Sequence, residues 1–233
     1  MGQLENNRLE DENMMARIAV FQQLHDLAKD SQDSGFRKSV FDVLCAYVRN
    51  MTSAKSYREG VGKDNPTKEC QELLNILFHR LDEFDGYDEF TANLQGAHLK
   101  GADFLEAHLP NAVFVSTNCE NATFAGAYLG SANFSNANFA NADLSESYMH
   151  VANLKGTNFA GAIFHRVDFT EECFFEVYSI EGANFCGAEI DKDQLPCDKG
   201  KYIADWTSDE FWEAIEREIK FFDESLKNNK YTI

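Results

Sequence analysis

The 233-residue chain holds only three prolines and two tryptophans, and no apolar run approaches the 18 or more residues that a membrane span requires. Its most apolar stretch, residues 39–48, is broken by Asp42. The chain opens Met-Gly-Gln-Leu-Glu-Asn-Asn, without a basic segment followed by an apolar one. A secretory leader is therefore not expected, and the sequence reads as cytoplasmic. Gly2 would suit N-myristoylation, yet Asn6 stands where that signal has Ser or Thr.

Paired cysteines are also missing. Cys45, Cys70, Cys119, Cys173, Cys186 and Cys197 form no C-x-x-C motif, so they read as reduced, buried, small apolar residues. Neither Cys186 nor Cys197 has a histidine within ten residues, and no metal ion is expected there. There is no phosphate-cradling glycine loop and no G-x-S-x-G. The carboxylate pairs Glu171–Glu172 and Asp209–Glu210 are chain neighbours rather than groups opposed across a cleft, which acid–base chemistry needs. The reading is of a non-enzyme, with no catalytic residue, cofactor or metal. Basic charge is scarce too: 21 Lys and Arg against 39 Asp and Glu give −18. A phosphate backbone needs a basic footprint, so no direct nucleic-acid binding is expected.

What the chain has in abundance is a period of five. From Ala92 it reads A-N-L-Q-G, A-H-L-K-G, A-D-F-L-E and onward in 17 units of unbroken register through Glu176. The first position is small in nearly every unit, and the third is Leu, Phe, Met or Cys throughout. An α-helix would rotate successive large residues by about 140° per unit, and a flat strand would alternate their faces. All 17 can point inward only if the chain turns by a constant amount every five residues. Gly and Asn, frequent at the fifth position, tolerate the left-handed conformations such turns use. A wound, stacked coil follows, which is a solenoid.

The A-(N/D)-(L/F)-x-x unit resembles the pentapeptide-repeat family. That resemblance implies a mainly β solenoid: a right-handed quadrilateral β-helix with four units, or 20 residues, per coil. Residues 20 apart would then stack, giving inward columns such as Leu94, Phe114, Phe134, Leu154 and Phe174. After Glu176 the register slips by one residue. Ala183-Asn184-Phe185 and Ala188-Glu189-Ile190 resume the pattern, which places a bulge near residues 177–182.

Helical periodicity marks both ends. Met14, Ile18, Phe21, Leu24, Leu27 and Ala28 form one apolar stripe. A second helix is predicted over 36–49, with Phe36, Val40, Leu44 and Tyr47–Val48 inward. The 60–64 stretch reads as a loop. Asn65-Pro66 reads as a cap opening a third helix to about Leu81. The runs R-I-A-V-F-Q-Q-L (17–24), V-L-C-A-Y-V-R (43–49) and E-C-Q-E-L-L-N-I-L (69–77) resemble the helical domain that precedes the repeats in one branch of the family. Some members of that branch carry membrane helices, which this sequence lacks. Residues 208–227 predict an amphipathic helix with Phe211, Trp212, Ile215, Ile219 and Phe222 on its apolar face. It would cap the coil's open end, with a dimer contact as the other use, so a monomer is expected before a homodimer. The predicted division is 1–90 helical, 91–191 coil and 192–233 C-terminal loop and capping helix.

His98, His108, His150 and His165 share no column at one position of the unit, and they read as solvated surface groups. His108, Tyr128, Tyr148 and Asp168 fall at second positions on one predicted face, and tyrosine is favoured at interfaces. The expected function is a non-enzymatic scaffold for a protein partner whose identity the architecture does not give. The family resemblance also implies an alternative: some members imitate DNA and bind type II topoisomerases such as DNA gyrase, inhibiting or protecting them. Counted by segment, the charge is −6 in each of 1–91 (17 acidic, 11 basic), 92–176 (9, 3) and 177–233 (13, 7). That even division predicts no continuous anionic stripe on the coil.

Overall fold

A computed structural model describes residues 2–79, 87, 89–169 and 189–190. Three helices come first: α1 (Gly2–Asp30), α2 (Ser34–Ser53) and α3 (Lys68–Phe78). Asp33 caps α2, its carboxylate accepting from the backbone N–H of Gly35 at 2.8 Å and of Phe36 at 3.3 Å, so α2 begins before the predicted Phe36. The cap of α3 is Thr67 rather than Asn65. Its hydroxyl accepts from Cys70 N–H at 3.3 Å, which leaves Pro66 ahead of the helix instead of in its first turn. α3 ends at Phe78, and Leu81 lies outside the described residues. A single π-helical turn at Tyr57–Val61 occupies the start of the predicted loop.

The helices pack through Phe21, Ala28, Val40, Phe41, Leu44, Val48, Leu73, Leu74 and Leu77. Two expected core residues are not in that core. Leu27 is 59% exposed, since a one-residue step rotates it about 100° from buried Ala28. Phe36 is 41% exposed, in the first turn of α2 before the buried stretch opens at Val40.

From Asn93 onward the chain winds with a 20-residue period. Second-position residues pair in parallel down four columns: Asn93–Val113–Asn133–Asn153, His98–Asn118–Asn138–Asn158, Asp103–Thr123–Asp143–Ile163 and His108–Tyr128–Tyr148. Pairing is by single residues, because four corners per coil leave little straight chain between them. The strands are correspondingly short: β1 (Asp168–Phe169) and β2 (Glu189–Ile190) have two residues each and pair in parallel. Asp168 faces Glu189, an interval of 21 where every earlier pair is 20 apart. The predicted bulge at 177–182 and the helix carrying Phe211, Trp212, Ile215, Ile219 and Phe222 lie outside the described residues.

Each position of the repeat has a physical task. The first is fully buried, where only a small side chain fits, and the third fills the axis. Leu94, Leu99, Phe104, Leu109, Phe114, Cys119, Phe124, Leu129, Phe134, Phe139, Leu144, Met149, Leu154, Phe159 and Phe164 are all at most 1% exposed. Backbone donors of the second, third and fifth positions reach neighbouring coils, as in Val113 N–H to Ala92 O and Leu94 N–H to Val113 O, both 2.8 Å. That leaves the fourth-position N–H. At the nine units from Asn93 to Asn158 where the second residue is Asn, Asp or Thr, its side-chain oxygen accepts that bond. The motif's Asn or Asp is thus a backbone cap. Fifth positions turn the corner with φ between +54° and +70°, whether glycine or not. Val151 is the costliest of these, a β-branched residue at φ 58° with 47% of its surface exposed. Val151→Gly is expected to stabilise the coil by about 1 kcal/mol, read as a higher urea midpoint with unchanged slope.

A stacked coil has a first turn with nothing beneath it, and here the helices supply what is missing. Arg49 donates to Asn93 O, and Thr52 Oγ1 accepts from His98 N–H at 3.3 Å. The Gln71 amide acts as a strand would: its oxygen accepts from Asp103 N–H at 3.0 Å and its nitrogen donates to Asp103 O at 2.8 Å. Phe78 O accepts from His108 N–H at 3.3 Å. One residue from α2 or α3 serves each column, and the ring of Phe78 meets that of Phe104 at 6.1 Å. Gln71→Ala removes two of these bonds and is expected to cost about 1–3 kcal/mol. Faster hydrogen exchange at Asp103 N–H than in the parent would check it.

Candidate interaction surface

One column carries three successive residues that are neither Asn, Asp nor Thr: His108, Tyr128 and Tyr148. On three successive coils the repeat gives up its own backbone cap. The fourth positions there are Pro110, which has no N–H, then Gly130 and His150. In exchange the rings stack. His108 and Tyr128 lie 5.0 Å apart at 20°, and Tyr128 and Tyr148 lie 4.8 Å apart at 4°. His150 joins at 5.7 Å from Tyr148. Tyr128 is 41% exposed, and Leu105 and Val151 add exposed apolar surface at the two corners beside the column. Of the fourth predicted member, Asp168, only the backbone is described, and it pairs with Glu189.

The histidines are less solvated than their positions in the repeat suggest. His98 bonds through both ring nitrogens, Nε2 to Lys63 O and Nδ1 to Asn118 Nδ2, each at 3.2 Å. Asn118 Oδ1 already accepts from Asn138 Nδ2 at 3.1 Å, so its amide nitrogen is the group facing His98. Nδ1 is therefore the acceptor, and the hydrogen sits on Nε2. Asn158 extends the chain by donating to Asn138 Oδ1 at 3.0 Å. His108 and His150 are half-buried against tyrosine rings. Among the described residues the three thiols are buried, and burial pushes Cys45 up to about 12 and Cys70 up to about 11 and holds Cys119 well above its ordinary value.

The carboxylates of residues 92–167 gather on one side of the coil, a distribution that the division by segment does not address. All five carboxylates of residues 92–167 lie on the third column or its corners. Asp103 and Asp143 are in the column, Glu120 is at the corner before it, and Glu106 and Glu146 are at the corner shared with the tyrosines. Lys100 bridges Glu120 at 3.0 Å and Asp64 at 3.4 Å, and Arg166 lies 3.6 Å from Glu146. A count along the chain hides this, because residues distant in sequence share a side.

A family model for pentapeptide repeats matches residues 92–130 and 132–170 in eight copies. No curated protein matches the chain. Among solved structures, the pentapeptide repeat protein Rfr23 from the cyanobacterium Cyanothece 51142 is 31% identical over 44% of this chain and 59% of its own, with a TM-score of 0.27. A pentapeptide repeat protein of the Arabidopsis thaliana thylakoid lumen is 24% identical over 44% of this chain and 70% of its own, at 0.23. QnrB1, a plasmid-mediated fluoroquinolone resistance protein, is 19% identical over 45% and 55%, at 0.27. The chain thus spans about three-fifths of Rfr23. With eight matched copies over a coil of 20-residue period, residues 92–170 are a segment of pentapeptide repeats.

Proposed function

We propose that the protein is a non-enzymatic scaffold whose repeat segment, a right-handed quadrilateral β-helix, docks a protein partner on the His108–Tyr128–Tyr148 column. The observation that supports this most is the loss of the repeat's own capping residue on three successive coils of one column, in favour of stacked rings. Departures from a structural rule concentrate at functional sites. The protein is read as a cytoplasmic monomer; no helix among the described residues is long and apolar enough to cross a membrane. Tyr128→Asn with Tyr148→Asn tests the reading, since asparagine is the repeat's own residue and restores the cap. A partner captured by the parent and lost by this double variant is the expected result. An unchanged set of captured proteins would remove the column from the function.

The one-sided carboxylates support a second reading, a DNA mimic that binds a type II topoisomerase such as DNA gyrase. Its test is a supercoiling assay with and without a gyrase poison. Neither inhibition nor protection at micromolar protein would sink it.

A further inference from the structure

Tyr128 and Tyr148 are held in a geometry that serves a covalent reaction, independently of any docking partner. Their rings are 4.8 Å apart and within 4° of parallel, on residues paired in neighbouring coils. Between them Gly130 leaves a gap in which both rings converge. A Cβ placed on Gly130 would lie 3.2 Å from Tyr148 Cε1, a carbon ortho to the phenol oxygen, and 3.5 Å from both Cζ and Oη of Tyr128. Tyr128 is open to solvent at 41%, whereas Tyr47 is half-buried and Tyr57 and Tyr87 are buried. Two phenols fixed this closely meet the positional demand of radical coupling before any oxidant arrives.

We propose that Tyr128 and Tyr148 form an oxidative modification site, where a peroxide-driven one-electron oxidant joins them into an intramolecular dityrosine staple. Each phenol gives up one electron and its hydroxyl proton and becomes a phenoxyl radical. The two radicals couple through a carbon ortho to each oxygen, forming one C–C bond. The ring hydrogens at those carbons leave, and the phenol oxygens are reprotonated as the rings regain aromaticity. The two electrons and two protons released reduce one hydrogen peroxide to two waters. The product ties one coil to the next across a 20-residue loop.

The test uses dilute full-length protein, a haem peroxidase and hydrogen peroxide. Trypsin cannot separate the two tyrosines, because no Lys or Arg lies between Lys100 and Lys155. Cleavage after glutamate can, releasing 121–146 and 147–171 as separate peptides. The expected result is a monomer lighter by two hydrogens, with dityrosine fluorescence and those two peptides joined. Tyr128→Phe and Tyr148→Phe each abolish the link. Gly130→Ala keeps both phenols and a φ open to alanine but fills the gap, and it is expected to slow coupling by on the order of ten-fold or more. Dityrosine found only between chains, mapped to Tyr178, Tyr202 or Tyr231, or formed at an unchanged rate in Gly130→Ala overturns the proposal.

Discussion

Phe139→Ala is expected to destabilise the coil by about 3–5 kcal/mol, the largest loss from any single side chain considered. The ring of Phe139 meets four others: Phe134 at 5.0 Å, Phe124 at 5.2 Å, Phe159 at 5.7 Å and Phe114 at 6.2 Å. Those rings belong to three columns, so the cavity left by alanine opens against neighbours on adjacent sides and on the coils above and below. Backbone hydrogen bonds fix the spacing of the coils, which prevents collapse into the space. The loss is read from the urea midpoint followed by circular dichroism. Phe139→Leu serves as the companion, since other units carry leucine at this position, and it is expected to cost about 1–2 kcal/mol. A loss below about 1 kcal/mol for the alanine variant would mean that the axis relaxes as a liquid would.

The second large effect belongs to the helical unit. The buried Glu69 carboxylate accepts from Arg17 Nε and Nη2, each at 2.7 Å, and from Tyr47 Oη at 2.9 Å. Burial pushes its carboxyl up, but the Arg17 hydrogen bonds, the Tyr47 hydrogen bond and the Arg17 charge outweigh it and leave Glu69 below its ordinary value. A carboxylate depressed in the fold contributes stability that is fully present above its unfolded value of about 4.3. That contribution is lost as the pH falls through the lower folded value. Denaturation midpoints should therefore drop as the pH goes below about 4, and Glu69→Gln should flatten that dependence. Removing one partner of a buried pair costs about 3–5 kcal/mol, but the Arg17 side chain is 46% exposed and solvent screens it. About 2–3 kcal/mol is accordingly expected for Glu69→Ala at neutral pH.

The coil was legible in the sequence because its register is local: position in the unit decides direction, and the third-position residues from Leu94 to Phe164 all face the axis. The stacking of Tyr128 on Tyr148 could be read from 20-residue arithmetic once the family geometry was adopted. The one-sided carboxylates were within reach of the same arithmetic, but a tally by segment averages over all four sides. The cap was not legible. Nothing about Gln71 on a helix announces that its amide will pair with Asp103, because that match depends on how α3 sits against the first turn. The same is true of Thr52 with His98. Leu27 and Phe36 were misplaced for a related reason, since periodicity gives a stripe but not its width.

The 20-residue spacing also sets how such a chain can change in length. Inserting one five-residue unit into the coil would leave every residue in a favourable local setting and the axis filled. It would also carry everything downstream over by one column, so that Tyr128 would come to stand above Val113, or Tyr148 above Asn133. The helices, tied to all four columns of the first turn, would keep their place while the surface turned beneath a partner. Only whole coils can be gained or lost without altering which side a given residue addresses.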